Sequence, residues 1–291
     1  MFNHLHRARP VLKWAGGKSS LLQELISLFP GRFERYIEPF LGGASVYLAI
    51  APGTKAIIND SNSDLMLTYK VIRDNPEQLM KQLDSYKKRY SETFYFQVRK
   101  SNPISAIERA TRFIFLNKTC FNGLYRTNSK GLFNVSFGKR VKCPELYDLE
   151  NMLSVSKRLS RAKIMNTDFA EVIASARKGD LIYCDPPYVP LSDTAYFSSY
   201  TPGGFTWSDQ NRLRDACDQA RKRGAQIFVS NSSAPVVRKL FTGWRLKTVH
   251  APRCINSKGD RRGKIEELIA ISLPYGSGSE ELISRRAESV A

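Results

Sequence analysis

Residues 180–188 read Asp-Leu-Ile-Tyr-Cys-Asp-Pro-Pro-Tyr, an apolar run that ends on an acid and two prolines. Leu181, Ile182, Tyr183 and Cys184 make a run of the right length for a fully buried strand. The prolines stop it. Each fixes its φ near −65° and lacks an amide donor, so the chain leaves the sheet in a set direction with carbonyl oxygens turned outward. A carboxylate at the carboxyl end of a strand is where open α/β sheets place ligand chemistry. Asp185 and the Pro186 carbonyl then offer two acceptors on a rigid loop, matching the two hydrogens of one exocyclic NH2. Pro187 stiffens the loop, and Tyr188 adds a flat face for the ring that carries the amine.

Outward from this stretch, short strand-like runs recur at Tyr36-Ile37-Glu38, Ala56-Ile57-Ile58-Asn59, and at residues 226–230, 245–250 and 267–272. Between two of them, Leu213, Ala216, Cys217 and Ala220 repeat at helical spacing, with Gly224 as a stop. Strands separated by helices predict a mostly parallel, three-layer α/β sheet. From residue 61 to 160 the strand pattern gives way to helical patterns such as 108–118, with Ala110, Phe113, Ile114 and Asn117 on one side. The expected organisation is a catalytic domain of residues 1–60 and 161–275, an inserted domain at 61–160, and a disordered tail at 276–291.

The inserted stretch holds KTCFNGLYRTNSKGLFNVSFGKRVK at 118–142, six basic residues and no acid, interleaved with Phe121, Tyr125, Phe133 and Phe137. Asn128-Ser129-Lys130-Gly131 predicts the turn of a hairpin. Basic groups bind phosphates, and aromatics wedge or stack against bases. The whole chain of 291 residues carries a net charge of +18 and a pI near 9.8. Such a charge favours a polyanionic partner, nucleic acid or an anionic membrane surface. The segment 253–264, RCINSKGDRRGK, reads as a basic loop gripping phosphates or as plain surface.

No apolar run approaches the ~20 residues of a membrane span, and the first residues lack the apolar core of a secretory signal. Five scattered cysteines without a CxxC, and three histidines without a zinc pair, predict reduced thiols in the cytosol and no metal. Four further motifs stand out. Glu38-Pro39-Phe40-Leu41-Gly42-Gly43 follows the first strand-like run as a glycine turn that lets a ligand approach the backbone. Asn59-Asp60 ends the second, well placed for the ribose hydroxyls of a dinucleotide or of S-adenosylmethionine. Lys13-Trp14-Ala15-Gly16-Gly17-Lys18 lacks the spacing of a P-loop. Asp168-Phe169 reads locally as a helix N-cap acid followed by an apolar residue.

Taken in order, KWAGGK, EPFLGG, ND, CFNGLYRTNSKGLFNV, NTDF, YCDPPYVPLS, FTWSDQ and SNSS make the chain resemble the Dam family of DNA adenine-N6 methyltransferases over roughly residues 10–272. The resemblance implies a seven-stranded S-adenosyl-L-methionine-dependent methyltransferase sheet, with 61–160 as the target-recognition domain. It implies that Trp14, Gly17 and Lys18 lie along the cofactor and that Glu38, Phe40 and Gly42 flank its methionine moiety. Asp60 would take the ribose hydroxyls, and Asp168 with Phe169 the adenine ring, while Asp185 borders both cofactor and target. Lys13 and Lys139 would reach DNA, Arg126 would read guanine, and Phe121, Asn122 and Leu124 would occupy the vacated base step. Two positions depart from the family pattern: Ser136 replaces the proline of NVPFG, and Phe121 stands where tyrosine is frequent.

The activity implied is methyl transfer to N6 of a flipped-out adenine, within GATC in double-stranded DNA and without a metal. The implied setting is a monomer in the cytoplasm, associated with the nucleoid, either as an orphan methyltransferase or with a cognate restriction endonuclease as a partner in a restriction-modification system. Asp185 argues against cytosine N4 enzymes, which carry serine there, and against glutamine-modifying enzymes, which carry asparagine. No cysteine follows a proline, as C5-cytosine chemistry would need. Missing GxGxxG disfavours a nicotinamide enzyme. A complete DPPY disfavours a DNA-binding regulator on a dead scaffold.

Overall fold

A computed structural model of the protein describes residues 8–18, 20–50, 53–190, 204–252 and 264–274. The expected tail, 276–291, and the basic segment 253–263 lie outside the described residues.

The strand-like runs, joined by a further strand at Ala162–Met165 that their pattern did not include, form β1 (Tyr36–Glu38), β2 (Ala56–Asn59), β3 (Ala162–Met165), β4 (Leu181–Cys184), β5 (Gln226–Ser232), β6 (Arg245–Pro252) and β7 (Lys264–Ser272). They build one mixed sheet in the order β3-β2-β1-β4-β5-β7-β6. Strand β1 runs parallel to β2 and to β4, and β4 parallel to β5. Strand β7 is antiparallel to both β5 and β6. Every residue of β1, β2 and β4 is buried, as parallel strands covered on both faces require. The order reverses between β1 and β4, so EPFLGG and DPPY leave the sheet from neighbouring carboxyl ends at a topological switch point.

Described helices are α1 (Leu22–Ser27), α2 (Ser45–Ala49), α3 (Ser63–Asp74), α4 (Pro76–Lys88), α5 (Glu92–Lys100), α6 (Ala106–Thr119), α7 (Leu149–Leu159), α8 (Phe169–Ala174), α9 (Trp207–Lys222) and α10 (Pro235–Leu240). By packing, the chain divides into two units. The first comprises Met1–Gly17, Leu41–Gly53 and Asp60–Asn166, and the second Lys18–Phe40, Thr54–Asn59 and Thr167–Ala291. The predicted insert therefore lies within the first unit, which also takes in the segments carrying Trp14 and Gly42.

In the first unit, α3, α4 and α5 pack on α6, and α7 packs on α3 and α4. Ser105 caps α6 by accepting from the Glu108 amide, and the helix buries Ala110, Phe113, Ile114 and Asn117 as its periodicity predicts. In the second unit, α9 starts in a reciprocal capping box between Thr206 and Asp209. It buries Gln210, Leu213, Cys217 and Ala220.

The predicted hairpin is present but narrow. Antiparallel bridges join Cys120 to Phe137 and Thr127 to Phe133. The turn closes where the Gly131 amide donates to the Asn128 carbonyl at 2.9 Å, with Gly131 at φ +74°. Continuous strands are interrupted because Asn122 and Gly123 take left-handed φ of +53° and +68°, which breaks the ladder.

Candidate active site

Strand β4 delivers Asp185 into a buried ionic cluster in the second unit. The Lys18 ammonium lies 2.8 Å from the Asp185 carboxylate and 3.8 Å from that of Glu267. Lys18 is 5% exposed and Asp185 20% at the side chain, so the ion pair is shielded while the carboxylate keeps an open side. Tyr188 donates its hydroxyl to Glu267 Oε2 at 2.8 Å, and the Lys18 ammonium sits 4.9 Å from the centre of the Tyr188 ring. Burial raises the Asp185 carboxyl above its ordinary value, opposed by the charge and hydrogen bond of Lys18. Burial, together with Asp185, holds the Tyr188 phenol far above its ordinary value, so it stays protonated. Among the described residues, the Pro186 carbonyl accepts no backbone or side-chain hydrogen bond.

Strand β1 ends in a second polar group. Glu38, buried, accepts from the Tyr36 hydroxyl at 2.9 Å. Its neighbour Phe40 packs 5.3 Å from Phe169 and 5.6 Å from Phe205, ring centre to ring centre. Asp168 is the N-cap of α8, accepting from the Ala170 amide at 2.9 Å, and it also pairs with Arg212 at 3.0 Å. Arg212 lies over the Phe169 ring at 4.9 Å. Asn59 ties this region together, donating to the Pro39 and Thr167 carbonyls and accepting from the Thr167 amide.

The first unit holds the other predicted residues. Asp60 accepts from the Gly42 amide at 2.9 Å through one oxygen and from the Asn62 amide at 3.0 Å through the other. Burial raises its carboxyl, and these amides oppose the shift. Trp14 stacks 5.4 Å from Tyr125 and 6.3 Å from Phe113, with its ring pressed on the EPFLGG turn. Gly42 has φ +49°, and a Cβ there would come within 2.7 Å of Trp14 Cδ1. Both strain and overlap oppose any side chain, so Gly42→Ala should lower unfolding stability by about 1–3 kcal/mol, read as a drop in urea midpoint.

Asn117 on α6 grips the Lys13 backbone from both sides, accepting its amide at 2.9 Å and donating to its carbonyl at 2.7 Å. The Lys13 side chain crosses Gly123 so closely that a Cβ there would come within 2.5 Å of it. Gly17 closes a turn by donating to the Trp14 carbonyl at 3.3 Å. On the hairpin, Phe121 and Leu124 stand 54% and 40% exposed, and Asn122, Arg126 and Lys139 are exposed beside them. Arg126 Nε donates to Asn134 Oδ1 at 2.9 Å. Ser136 contributes its carbonyl, which accepts from the Phe121 amide at 2.9 Å, a bond a proline at that position could also make.

Residues 14–255 match the family of D12 class N6 adenine-specific DNA methyltransferases. The chain belongs to this family. It is 40% identical over 277 residues to the type II methyltransferase M1.LlaDCHI of Lactococcus lactis subsp. cremoris, covering 92% of this chain and 96% of that one. It is 40% identical over 275 residues to the type II methyltransferase M.MjaIII of Methanocaldococcus jannaschii, covering 87% and 95%. The DNA adenine methylase of Escherichia coli K12 is 32% identical over 274 residues, covering 93% and 97%.

The structure of this adenine-specific DNA methyltransferase also gives hydrogen bonds or ion pairs around the predicted residues to side chains that sequence reasoning assigned no role. Glu267 is one: an acid next to the apolar run of β7, whose only signal was a charge inside a strand. Gln210 and Asn231 lie within FTWSDQ and SNSS, motifs read as family markers without a chemical task. Asn117 read only as part of a helix face. Among the described residues, no group of three or more histidine, cysteine, aspartate or glutamate side chains is arranged to hold a metal ion, and no helix is long and apolar enough to cross a membrane.

Proposed function

We propose that this D12-class enzyme transfers a methyl group from S-adenosyl-L-methionine to N6 of an adenine flipped out of double-stranded DNA, within GATC. The observation that carries the reading is the DPPY loop: the Asp185 carboxylate paired with a buried lysine, beside a carbonyl oxygen with open valences.

The residues fit the methyl donor by their chemistry. Asp60 keeps lone-pair capacity beyond its backbone amide partners, as hydrogen-bonding ribose hydroxyls requires. Phe40 and Phe169 offer ring faces, Asp168 an acceptor oxygen, Glu38 a buried carboxylate, and Gly17, Gly42 and Trp14 a close backbone turn. Lys18 orders the carboxylates at this end of the sheet. S-adenosyl-L-methionine bound there supplies a methyl group on a sulfonium, already a good leaving group.

The amine of adenine is a poor nucleophile because its lone pair is delocalised into the ring. Asp185 and the Pro186 carbonyl accept its two hydrogens, which lets the nitrogen pyramidalise and frees the lone pair. Positioning and charge placement do most of the work. Asp185 accepts the proton that the nitrogen sheds after the methyl arrives. Pro187 keeps the loop rigid, and stacking on Tyr188 offsets part of the loss of base stacking, by ~1–3 kcal/mol.

Recognition falls to residues 61–160, and catalysis to 1–60 and 161–275. In this reading Arg126 contacts guanine, Phe121, Asn122 and Leu124 fill the emptied step, and Lys13 and Lys139 hold phosphates. The enzyme acts as a monomer on nucleoid DNA in the cytoplasm. Its kinship with type II methyltransferases points to a cognate restriction endonuclease. The test is methylation of a mixed-sequence plasmid in vitro, followed by mapping of N6-methyladenine by sequencing. Marks confined to GATC are expected. Marks on cytosine, or no marks, overturn the reading.

A further inference from the structure

Gln210 and Asn231 are 2% and 0% exposed, and the proposed reaction uses neither. They form a relay under the DPPY loop. Gln210 Nε2 donates to the Pro187 carbonyl at 2.9 Å, and Gln210 Oε1 accepts from Asn231 Nδ2 at 3.1 Å. Asn231 Oδ1 accepts from the Val189 amide at 3.1 Å and from the Ser232 amide at 2.8 Å.

The two pinned backbone groups belong to the peptide planes on either side of Tyr188. Fixing both planes fixes the φ and ψ of Tyr188, and hence the direction in which its side chain leaves the loop. Glu267 holds the far end of that side chain. The polarity of the relay is also determined. The Val189 amide is a donor, so Asn231 must face it with oxygen. Asn231 then offers its nitrogen to Gln210, which turns its own nitrogen to Pro187. Reversing either amide would set like groups against each other in a buried space, where unpaired polar groups are costly.

We infer that Gln210 and Asn231 are positioning residues that hold Tyr188 and the peptide planes on either side of it in register for capture of the target base. The inference rests on the proposed role of Tyr188 as the stacking face.

The test is Gln210→Glu in the full chain, an almost isosteric change. As a carboxylate, the introduced side chain would oppose its oxygen to the Pro187 carbonyl. When protonated it could donate there again, and burial raises the pH at which this happens. Single-turnover transfer should fall about 10- to 100-fold at about pH 8, with cofactor affinity within about twofold. The ratio of variant to wild-type rate should recover as pH is lowered to about 5.5.

Hydrogen exchange of the Val189 amide reads the relay without any methyl transfer. It should be faster in the variant at high pH and return to the wild-type rate at low pH. A rate ratio that stays flat with pH, or a parallel loss of cofactor affinity, overturns the inference. Wild-type exchange showing a protected Val189 amide, with pH-dependent loss in the variant but no transfer to adenine by either, would support the relay and refute the function proposed above.

Discussion

Asp185→Ala should abolish methyl transfer to adenine while binding of the methyl donor largely survives. The expected loss is on the order of 10³-fold or more, comparable to removing a preorganised group from a shielded site. The structure says why the protein should tolerate the change. Lys18 is buried, but Glu267 lies 3.8 Å from it, so deleting Asp185 does not leave an uncompensated buried cation. Asp185→Asn should fare little better than alanine. Lys18 carries only donors and takes the amide oxygen, which leaves the NH2 facing the incoming amine.

The same geometry sets a pH dependence. In the proposed mechanism transfer needs the ionised carboxylate, and burial raises the Asp185 carboxyl. The rate should therefore begin to fall at a higher pH than an exposed aspartate would give. Lys18 opposes that rise, so Lys18→Met should move the acid limb to still higher pH. Tritium incorporation into a GATC duplex at saturating donor, followed across pH, measures both effects. An Asp185→Ala enzyme with near-normal turnover would remove the carboxylate from the mechanism.

The parts of the fold legible in the sequence are those governed by short-range pattern. The run Leu181–Cys184 followed by two prolines could hardly be anything but a buried strand ending at a rigid loop, and the structure has it at the switch point of the sheet. The hairpin turn was equally plain, because Asn128 and Gly131 suit its backbone. Asp168 proved legible at the local level, as a helix N-cap.

What stayed hidden depends on residues far apart in the chain. The position of β7 between β5 and β6 is a choice of pairing that strand length and composition do not encode. Glu267 meets Lys18 and Tyr188 only because β7 pairs beside β5, and nothing near residue 267 announces an acid in this cluster. Trp14 could be read as a residue along a ligand or as packing. Its stacking on Phe113 and Tyr125 follows from where α6 and the hairpin run. Gln210 and Asn231 lay in motifs already in view, yet their task became readable only when a buried amide was seen to need a partner for each end.

Arg126→Ala should relax selectivity at one base pair of the recognition site by about 5- to 150-fold, the ~1–3 kcal/mol carried by a good arginine–guanine contact. Arg126 is exposed on the hairpin, and its Nε is committed to Asn134 Oδ1. The planar guanidinium is thereby oriented, with its two terminal nitrogens left as a fork for guanine O6 and N7. Loss of the fork should raise methylation of sites altered at that pair relative to GATC, with the other pairs still discriminated. Lys139→Ala supplies the contrast. A lysine that touches only phosphate releases counterions without reading sequence, so its loss should weaken binding evenly on every duplex and reduce the log–log salt slope by about 1. Competition between GATC and singly substituted duplexes, repeated at several salt concentrations, separates the two. If Arg126→Ala lowers methylation equally on all duplexes and flattens the salt dependence as Lys139→Ala does, Arg126 grips the backbone, and specificity at that pair must come from elsewhere on the hairpin.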